Sequence, residues 1–151
     1  MSLPYSFTLY PDEPIMLVTI TSKYSIIRDQ PISDIEGFKI LDAFSEPVYY
    51  INDIRKLRLT VNDVILAANQ SSRIGTDNEE KKRPPIWRHP NIKEILLITT
   101  NPVVKLAAPG MKKEVFGGLT VKTFDTLEDT LEYIRSQVSN VVPELDTVGA
   151  R

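Results

Sequence analysis

Two uninterrupted apolar runs, at residues 48–51 and 95–98, constrain the fold of this chain more than any other feature. Each run has the length of a strand and lacks the polar alternation of a strand with one solvent-exposed face. Such strands lie in parallel sheets that are covered on both faces. Segments with apolar residues three and four positions apart, typical of amphipathic helices, separate the runs. The sequence therefore predicts an α/β fold in which helices cover a mixed, largely parallel sheet.

The remaining segments complete the order β-β-α-β-α-β-α-β-α. Residues 5–10 alternate in polarity and residues 15–21 are rich in β-branched side chains, which predicts two strands around a Pro-rich turn. Helices are predicted to follow four capping residues, which are Ser33, Thr60, Asn101 and Asp125. Between these elements, residues 22–31 are predicted to be irregular and residues 70–91 to form a long loop.

The length of 151 residues fits one domain. We expect that domain to span residues 4–139 and residues 140–151 to form a flexible C-terminal tail. No segment has the pattern of an export signal or an apolar run of about 20 residues. A cytoplasmic location without membrane association is therefore expected.

The amino-acid composition argues against several classes of function. The chain has no cysteine and a single histidine, His89, which argues against thiolate chemistry and histidine-rich metal sites. We expect His89 to be a solvated or capping residue of the long loop. The net charge of -2 argues against nucleic-acid binding, and no Gly-rich phosphate loop is present. The expectation is a protein that is not an enzyme, with no catalytic residues, metal or cofactor.

Polar residues follow the predicted parallel strands at the points where the strands end. Because the carboxyl ends of parallel strands meet at one edge of the sheet, these residues are predicted to form a shared rim, where open α/β sheets bind ligands and partners. The predicted partner-binding residues are Asn52, Asp53, Arg55, Thr60, Thr99 and Asn101.

Three stretches of the chain resemble the STAS superfamily, specifically its SpoIIAA-like branch. They are residues 47–53, residues 89–92 before the strand 95–99, and residues 121–131. The resemblance implies a non-catalytic regulatory module that binds a kinase-like protein and is switched by phosphorylation just after the strand-end aspartate. Here Asp53 is followed by Ile-Arg-Lys, so the usual switch serine is missing, and Thr60 is the predicted phosphorylation site.

The same broad fold is similar to that of CRAL-TRIO lipid carriers, which gives an alternative function. In that reading the chain carries a small apolar molecule or lipid. The residues predicted to line its pocket are Ile86, Trp87, Val103, Leu106 and Phe116. The protein partner of the regulatory reading is unidentified, and a homodimer is expected to be possible because small soluble domains often pair symmetrically.

Overall fold

The computed structural model describes residues 3–74, 86–109 and 120–149, with side chains described over 3–67, 86–109 and 120–139. The strands are β1 (Tyr5–Leu9), β2 (Ile15–Ile20), β3 (Val48–Asp53), β4 (Ile92–Ile98) and β5 (Val121–Phe124). The helices are α1 (Ile26–Asp42), α2 (Val61–Ile74), α3 (Pro102–Ala107) and α4 (Leu127–Gly149). A one-turn 3₁₀ helix, Ile86–Arg88, precedes β4.

The five strands form one sheet in the order β1-β2-β3-β4-β5. β1 runs antiparallel to β2, and the three other pairs of neighbours are parallel. The predicted α/β class, the order of elements and the largely parallel sheet are confirmed.

The pleat of the strands sends alternate residues to two covered faces. On β3, Val48 and Tyr50 pack with α1 and the 3₁₀ helix, and we call this side the α1 face. Tyr49 and Ile51 pack on the other side with Ile134 of α4, and we call that side the α4 face. Helices α2 and α3 also lie on the α1 face, where α2 contacts both α1 and α3.

Helix α1 begins earlier than predicted. Its N-cap is Ser25, whose side chain accepts a hydrogen bond from the backbone N–H of Arg28 (3.3 Å). In return, Asp29 accepts from the backbone N–H of Ser25 (2.7 Å). Residues 22–25 are irregular as predicted, but the irregular structure predicted for 26–31 and the helix start predicted at Ser33 were wrong, because this cap stabilises a first turn that continues through Pro31.

The buried side of α1 consists of residues four positions apart: Asp29, Ser33, Gly37 and Leu41. Small residues at the centre of this row let the helix approach its neighbours closely. A Cβ atom on Gly37 would lie 2.8 Å from Cδ1 of Ile86, closer than carbon atoms pack. A side chain at this position would therefore require the tip of Ile86 to move.

Side chains that precede β4 hold the C-terminal end of α1. The Asn91 side-chain amide donates to the carbonyl oxygens of Leu41 (2.9 Å) and Phe44 (2.8 Å). His89 is buried, with 5% of its surface exposed, so the expectation of a solvated residue was wrong. Its Nδ1 accepts from the backbone N–H of Asn91 (3.0 Å), so the ring proton lies on Nε2, which donates to Asp42 (2.8 Å).

The other helix starts are set by local chemistry. Thr60 and Asp63 exchange the two hydrogen bonds of a capping box at the start of α2, and Asn101 caps α3 ahead of Pro102, both as predicted. The cap predicted for α4 was wrong by one residue. Thr126 accepts from the backbone N–H of Asp129 (3.1 Å), while Asp125 pairs with Lys105.

Two predicted boundaries also differ from the structure. Helix α2 extends to Ile74, into the predicted loop, and residues 75–85 of that loop lie outside the described residues. Helix α4 extends to Gly149, past the predicted domain boundary at residue 139. The flexibility of residues 140–151 stays a prediction.

Candidate functional site

A cavity of about 190 Å³ lies on the α1 face, between the sheet and the helices that cover it. Strands β2, β3 and β4 form its floor, with apolar side chains such as Val18, Ile95 and Leu97. Helices α1, α2 and α3 and the 3₁₀ helix form its walls, where Val64 and Val104 are typical lining residues. Most of the lining is therefore apolar, as in the binding sites of small molecules.

Polar side chains line one part of the cavity. They come from the N-terminal half of α1, from the segment before it and from β3: Tyr24, Gln30, Ser33, Asp34, Tyr50 and Asn52. The hydroxyl groups of Tyr24 and Ser33 share a hydrogen bond of 2.7 Å. The Gln30 amide donates to the backbone carbonyl of Ala67 (3.0 Å), which joins α1 to α2 beside the cavity.

Two tyrosines in this polar part have raised pKa values. Burial raises the pKa of Tyr24, the hydrogen bond with Ser33 opposes part of this rise, and the negative charges of Asp34 and Asp29 add to it. Burial also raises the pKa of Tyr50 well above its usual value, and Asp34 again adds to the effect. Both phenols therefore keep their protons at neutral pH.

The structure separates the residues that were predicted to line an apolar pocket. Ile86 and Trp87 line the cavity. Val103 packs instead in the small cluster between α2 and α3, and its neighbour Val104 is the lining residue. Leu106 is 84% exposed and points away from the cavity, and Phe116 lies outside the described residues.

The predicted rim residues on β3 point to opposite faces of the sheet, as adjacent residues of a strand do. Asn52 lines the cavity. Asp53 accepts two hydrogen bonds from the Arg55 guanidinium (2.9 and 2.8 Å) and one from the Arg55 backbone N–H (3.2 Å). Burial pushes the pKa of Asp53 upward, but the hydrogen bonds from Arg55 outweigh it and the pKa is lowered.

The other rim residues have structural contacts. Thr99 is 1% exposed, so a partner on the surface cannot touch it, and it accepts from the backbone N–H of Asn101 (3.1 Å). Asn101 caps α3 and donates to the carbonyl of Leu59 (3.0 Å). Thr60 is exposed but lies 3.0 Å from the Asp63 carboxylate, and its phosphorylation stays a prediction.

Sequence reasoning missed the polar residues of the cavity other than Asn52. One signal was available: Tyr50 and Asn52 are two residues apart on a strand and so share a face. Tyr24 and Asp34 gave no such signal, because their place at the cavity follows from where α1 begins and how closely it approaches the sheet.

In residues 3–74, 86–109 and 120–149, no three His, Cys, Asp or Glu side chains are grouped so that they could hold a metal ion. In the same part of the chain, no helix is both long and apolar enough to span a membrane. The cytoplasmic location stays a prediction.

Comparison with known proteins gives one structural likeness. No family model matches the chain, and no curated protein matches it. The chain is similar in structure to an uncharacterized protein of the DUF3478 family from Shewanella loihica PV-4, whose crystal structure has a SpoIIAA-like fold. The two are 13% identical with a TM-score of 0.48, and the match covers 86% of this chain and 91% of that one.

Proposed function

We propose that this protein is a non-catalytic binding domain that takes a small, largely apolar molecule into the cavity on the α1 face. The observation that carries the proposal is the cavity itself, about 190 Å³ in volume and lined by apolar side chains from three strands and four helical segments. Small-molecule sites are typically concave, mostly apolar clefts with a few polar groups, and this cavity has that form.

The size of the cavity limits the ligand. An apolar cavity of about 150 Å³ is enough to hold benzene. The cavity here is somewhat larger, so it fits one ring with a short polar arm, and a long acyl chain would need the walls to move. Several lining residues, including Trp87 and Leu57, are only partly buried, which leaves a route for entry from solvent.

A cavity-filling variant tests the proposal. Ala67 lines the cavity from α2, so Ala67→Leu places a larger side chain in the ligand's space. Phenethyl alcohol, a neutral single-ring probe, is expected to raise the melting temperature of the natural protein, because a ligand that binds only the folded state stabilises it. The Ala67→Leu variant is expected to lose this shift. Ala43→Leu, the same change at an exposed position after α1, is the matched control and should keep it.

Two results would contradict the proposal. If neither phenethyl alcohol nor a panel of single-ring compounds shifts the melting temperature at millimolar concentration, the cavity is not a binding site. If the shift survives in Ala67→Leu, the probe binds elsewhere. Native mass spectra of the purified protein would add the mass of any retained molecule and the number of subunits.

The second candidate is the regulatory, protein-interacting module that the family resemblance implies. The observation that favours it is an exposed basic segment between β3 and α2, formed by Arg55, Lys56 and Arg58. Such a segment suits an acidic partner surface. Arg55→Glu would be expected to abolish capture of a partner that the natural protein retains, whereas Lys23→Glu, an exposed charge before α1, would not. Equal capture by both variants would remove this rim from consideration.

A further inference from the structure

We propose that the ligand of the α1-face cavity is an uncharged single-ring molecule with a carbonyl group, such as an aromatic ketone, whose oxygen accepts a hydrogen bond from the Tyr50 hydroxyl. This inference rests on the proposed function and adds the chemical class of the ligand. Tyr50 lines the cavity and is only 5% exposed, yet its hydroxyl forms no hydrogen bond within the described part of the chain. Because buried polar side-chain atoms nearly always have a partner, this hydroxyl points to one from outside the chain.

The Tyr50 hydroxyl reaches from the sheet to the centre of α1. Its oxygen lies 3.5 Å from the position that a Cβ atom on Gly37 would take. The side chain therefore crosses the layer between sheet and helix in which the cavity lies. Although it has no partner, the oxygen is not enclosed among packed atoms, so the open space beside it is the cavity.

The second phenol of the cavity, Tyr24, uses its proton within the chain. The Ser33 hydroxyl donates to the carbonyl oxygen of Gln30 (3.2 Å). A hydroxyl group has one proton to donate, so Tyr24 is the donor of the 2.7 Å hydrogen bond that it shares with Ser33. Tyr24 therefore has no proton left for a ligand, whereas Tyr50 does.

The ligand group that matches Tyr50 is a hydrogen-bond acceptor. Burial raises the pKa of Tyr50 well above its usual value, so the hydroxyl keeps its proton at neutral pH. Asn52 lies two residues further along β3 on the same face, and its side-chain N–H groups also have no partner among the described residues. Asn52 is half-buried, so water can reach it, whereas the buried Tyr50 depends on what enters the cavity.

The rest of the lining favours an uncharged ligand with a hydrocarbon body. No lysine or arginine is among the described lining residues, so a carboxylate would be buried without a counter-ion. Apolar side chains such as Val18, Ile95 and Val104 form the part of the cavity that is buried deepest. They offer no hydrogen bonds and therefore suit a ring.

Two probes of the same shape separate the hydrogen bond from the fit: acetophenone, and α-methylstyrene, in which a CH₂ group replaces the carbonyl oxygen. In Tyr50→Phe, calorimetric titration is expected to show an affinity for acetophenone that is about fivefold lower, as the loss of one neutral hydrogen bond allows. The affinity for α-methylstyrene should not fall. Tyr10→Phe, the same change at a tyrosine that packs on the α4 face, is the matched control and should keep both affinities.

A charged probe and a spectroscopic measurement complete the test. Benzoate is expected to bind more weakly than acetophenone at neutral pH, and benzoate binding as tightly would contradict the uncharged class. Infrared spectra of acetophenone labelled with ¹³C at the carbonyl report the hydrogen bond itself. The carbonyl stretching frequency of the bound probe is expected to lie below its value in an alkane solvent and to move back towards that value in Tyr50→Phe.

The possible results distinguish the two proposals. If none of the three probes binds, the proposed function fails. If Tyr50→Phe weakens acetophenone no more than α-methylstyrene, the cavity is a binding site but the inference of a carbonyl acceptor is wrong. If Tyr50→Phe does not fold, the natural protein still decides the matter, because a bound carbonyl frequency equal to that in alkane would overturn the inference.

Discussion

The α4 face of the sheet is filled by large apolar side chains, whereas the α1 face holds a cavity of about 190 Å³. On the α4 face, Ile51 and Leu96 of the sheet and Ile134 of α4 are fully buried. On the α1 face, Asn91 bonds the C-terminal end of α1, a cap of its own residues stabilises its first turn, and Gly37 lies close to Ile86. We infer that packing on the α4 face contributes most to the free energy of unfolding, whereas the α1 face leaves a cavity between the sheet and its helices.

The largest expected difference between the two faces is in the free energy of unfolding, after substitution of two neighbouring leucines on β4. Leu96 is 0% exposed on the α4 face, whereas Leu97 is partly exposed and lines the cavity. Leu96→Ala is expected to lower the free energy of unfolding by about 3 kcal/mol or more, and Leu97→Ala by about 1 kcal/mol, because Leu97 has fewer contacts to lose. Urea unfolding of both variants measures the difference. Equal losses would show that the two faces are packed alike.

Removing the contacts at the C-terminal end of α1 is expected to have the next largest effect on the free energy of unfolding. Asn91→Ala removes two hydrogen bonds to the carbonyl oxygens of Leu41 and Phe44, one of them a buried residue. The expected loss in the free energy of unfolding is about 2 kcal/mol. Asn62→Ala, an exposed position on α2, is the control and should change little. A loss in Asn91→Ala no larger than the control's would mean that α1 is not held at this end.

The contribution of the N-terminal end of α1 to the free energy of unfolding is expected to depend on pH. Hydrogen bonds from the Arg28 guanidinium lower the pKa of Asp29, with a further contribution from the Ser25 backbone N–H. A carboxyl group whose pKa is lower in the folded state stabilises the fold above its unfolded pKa of about 4, and this stability is lost as the pH falls through the folded pKa.

Asp29→Asn is therefore expected to cost about 1 kcal/mol at neutral pH, as other cap contacts do, and progressively less as the pH falls below about 4. Unfolding in urea at a series of pH values measures this. Asp12→Asn, at an exposed position, should parallel the natural protein throughout. A difference between Asp29→Asn and the natural protein that persists unchanged in acid would contradict the role given to the charge.

Gly37→Ala is expected to have the smallest effect on the free energy of unfolding, and its main effect is expected on ligand affinity at the cavity. In Gly37→Ala, the added Cβ meets Cδ1 of Ile86, a lining residue, and displaces it into the ligand's space. The helix preference of alanine, about 1 kcal/mol, offsets most of the cost of overpacking. Stability is expected to change little while the affinity for phenethyl alcohol falls several-fold. Adding Ile86→Val should restore the affinity, and failure to do so would place the cause elsewhere.

The sequence predicted those parts of the fold that depend on local chemistry. The reciprocal cap of Thr60 and Asp63 and the Asn101–Pro102 start of α3 need only neighbouring residues, and both were confirmed. The start of α1 could not be read in this way. Pro31 breaks the helical pattern, and its cost is outweighed by the cap at Ser25 and by packing of the buried row of α1 against distant residues.

The candidate site was harder to predict, for two physical reasons. The shared rim assumed that residues following each strand lie together, but the pleat sends Asn52 and Asp53 to opposite faces of the sheet. A cavity is a volume between distant elements, so no short segment of sequence encodes it. The role of Gly37 could not be predicted either, because its close approach to Ile86 depends on an element far away in the sequence.

The central claim is that a small molecule binds in the space on the α1 face. Amide NMR spectra recorded during a titration with phenethyl alcohol test it most directly, because each residue reports separately. The account predicts saturable shifts for residues around the cavity, such as Tyr50, Val64 and Val104, and little change along the buried side of α4 around Ile134. Shifts centred on the α4 face, or none at saturating probe, would contradict it.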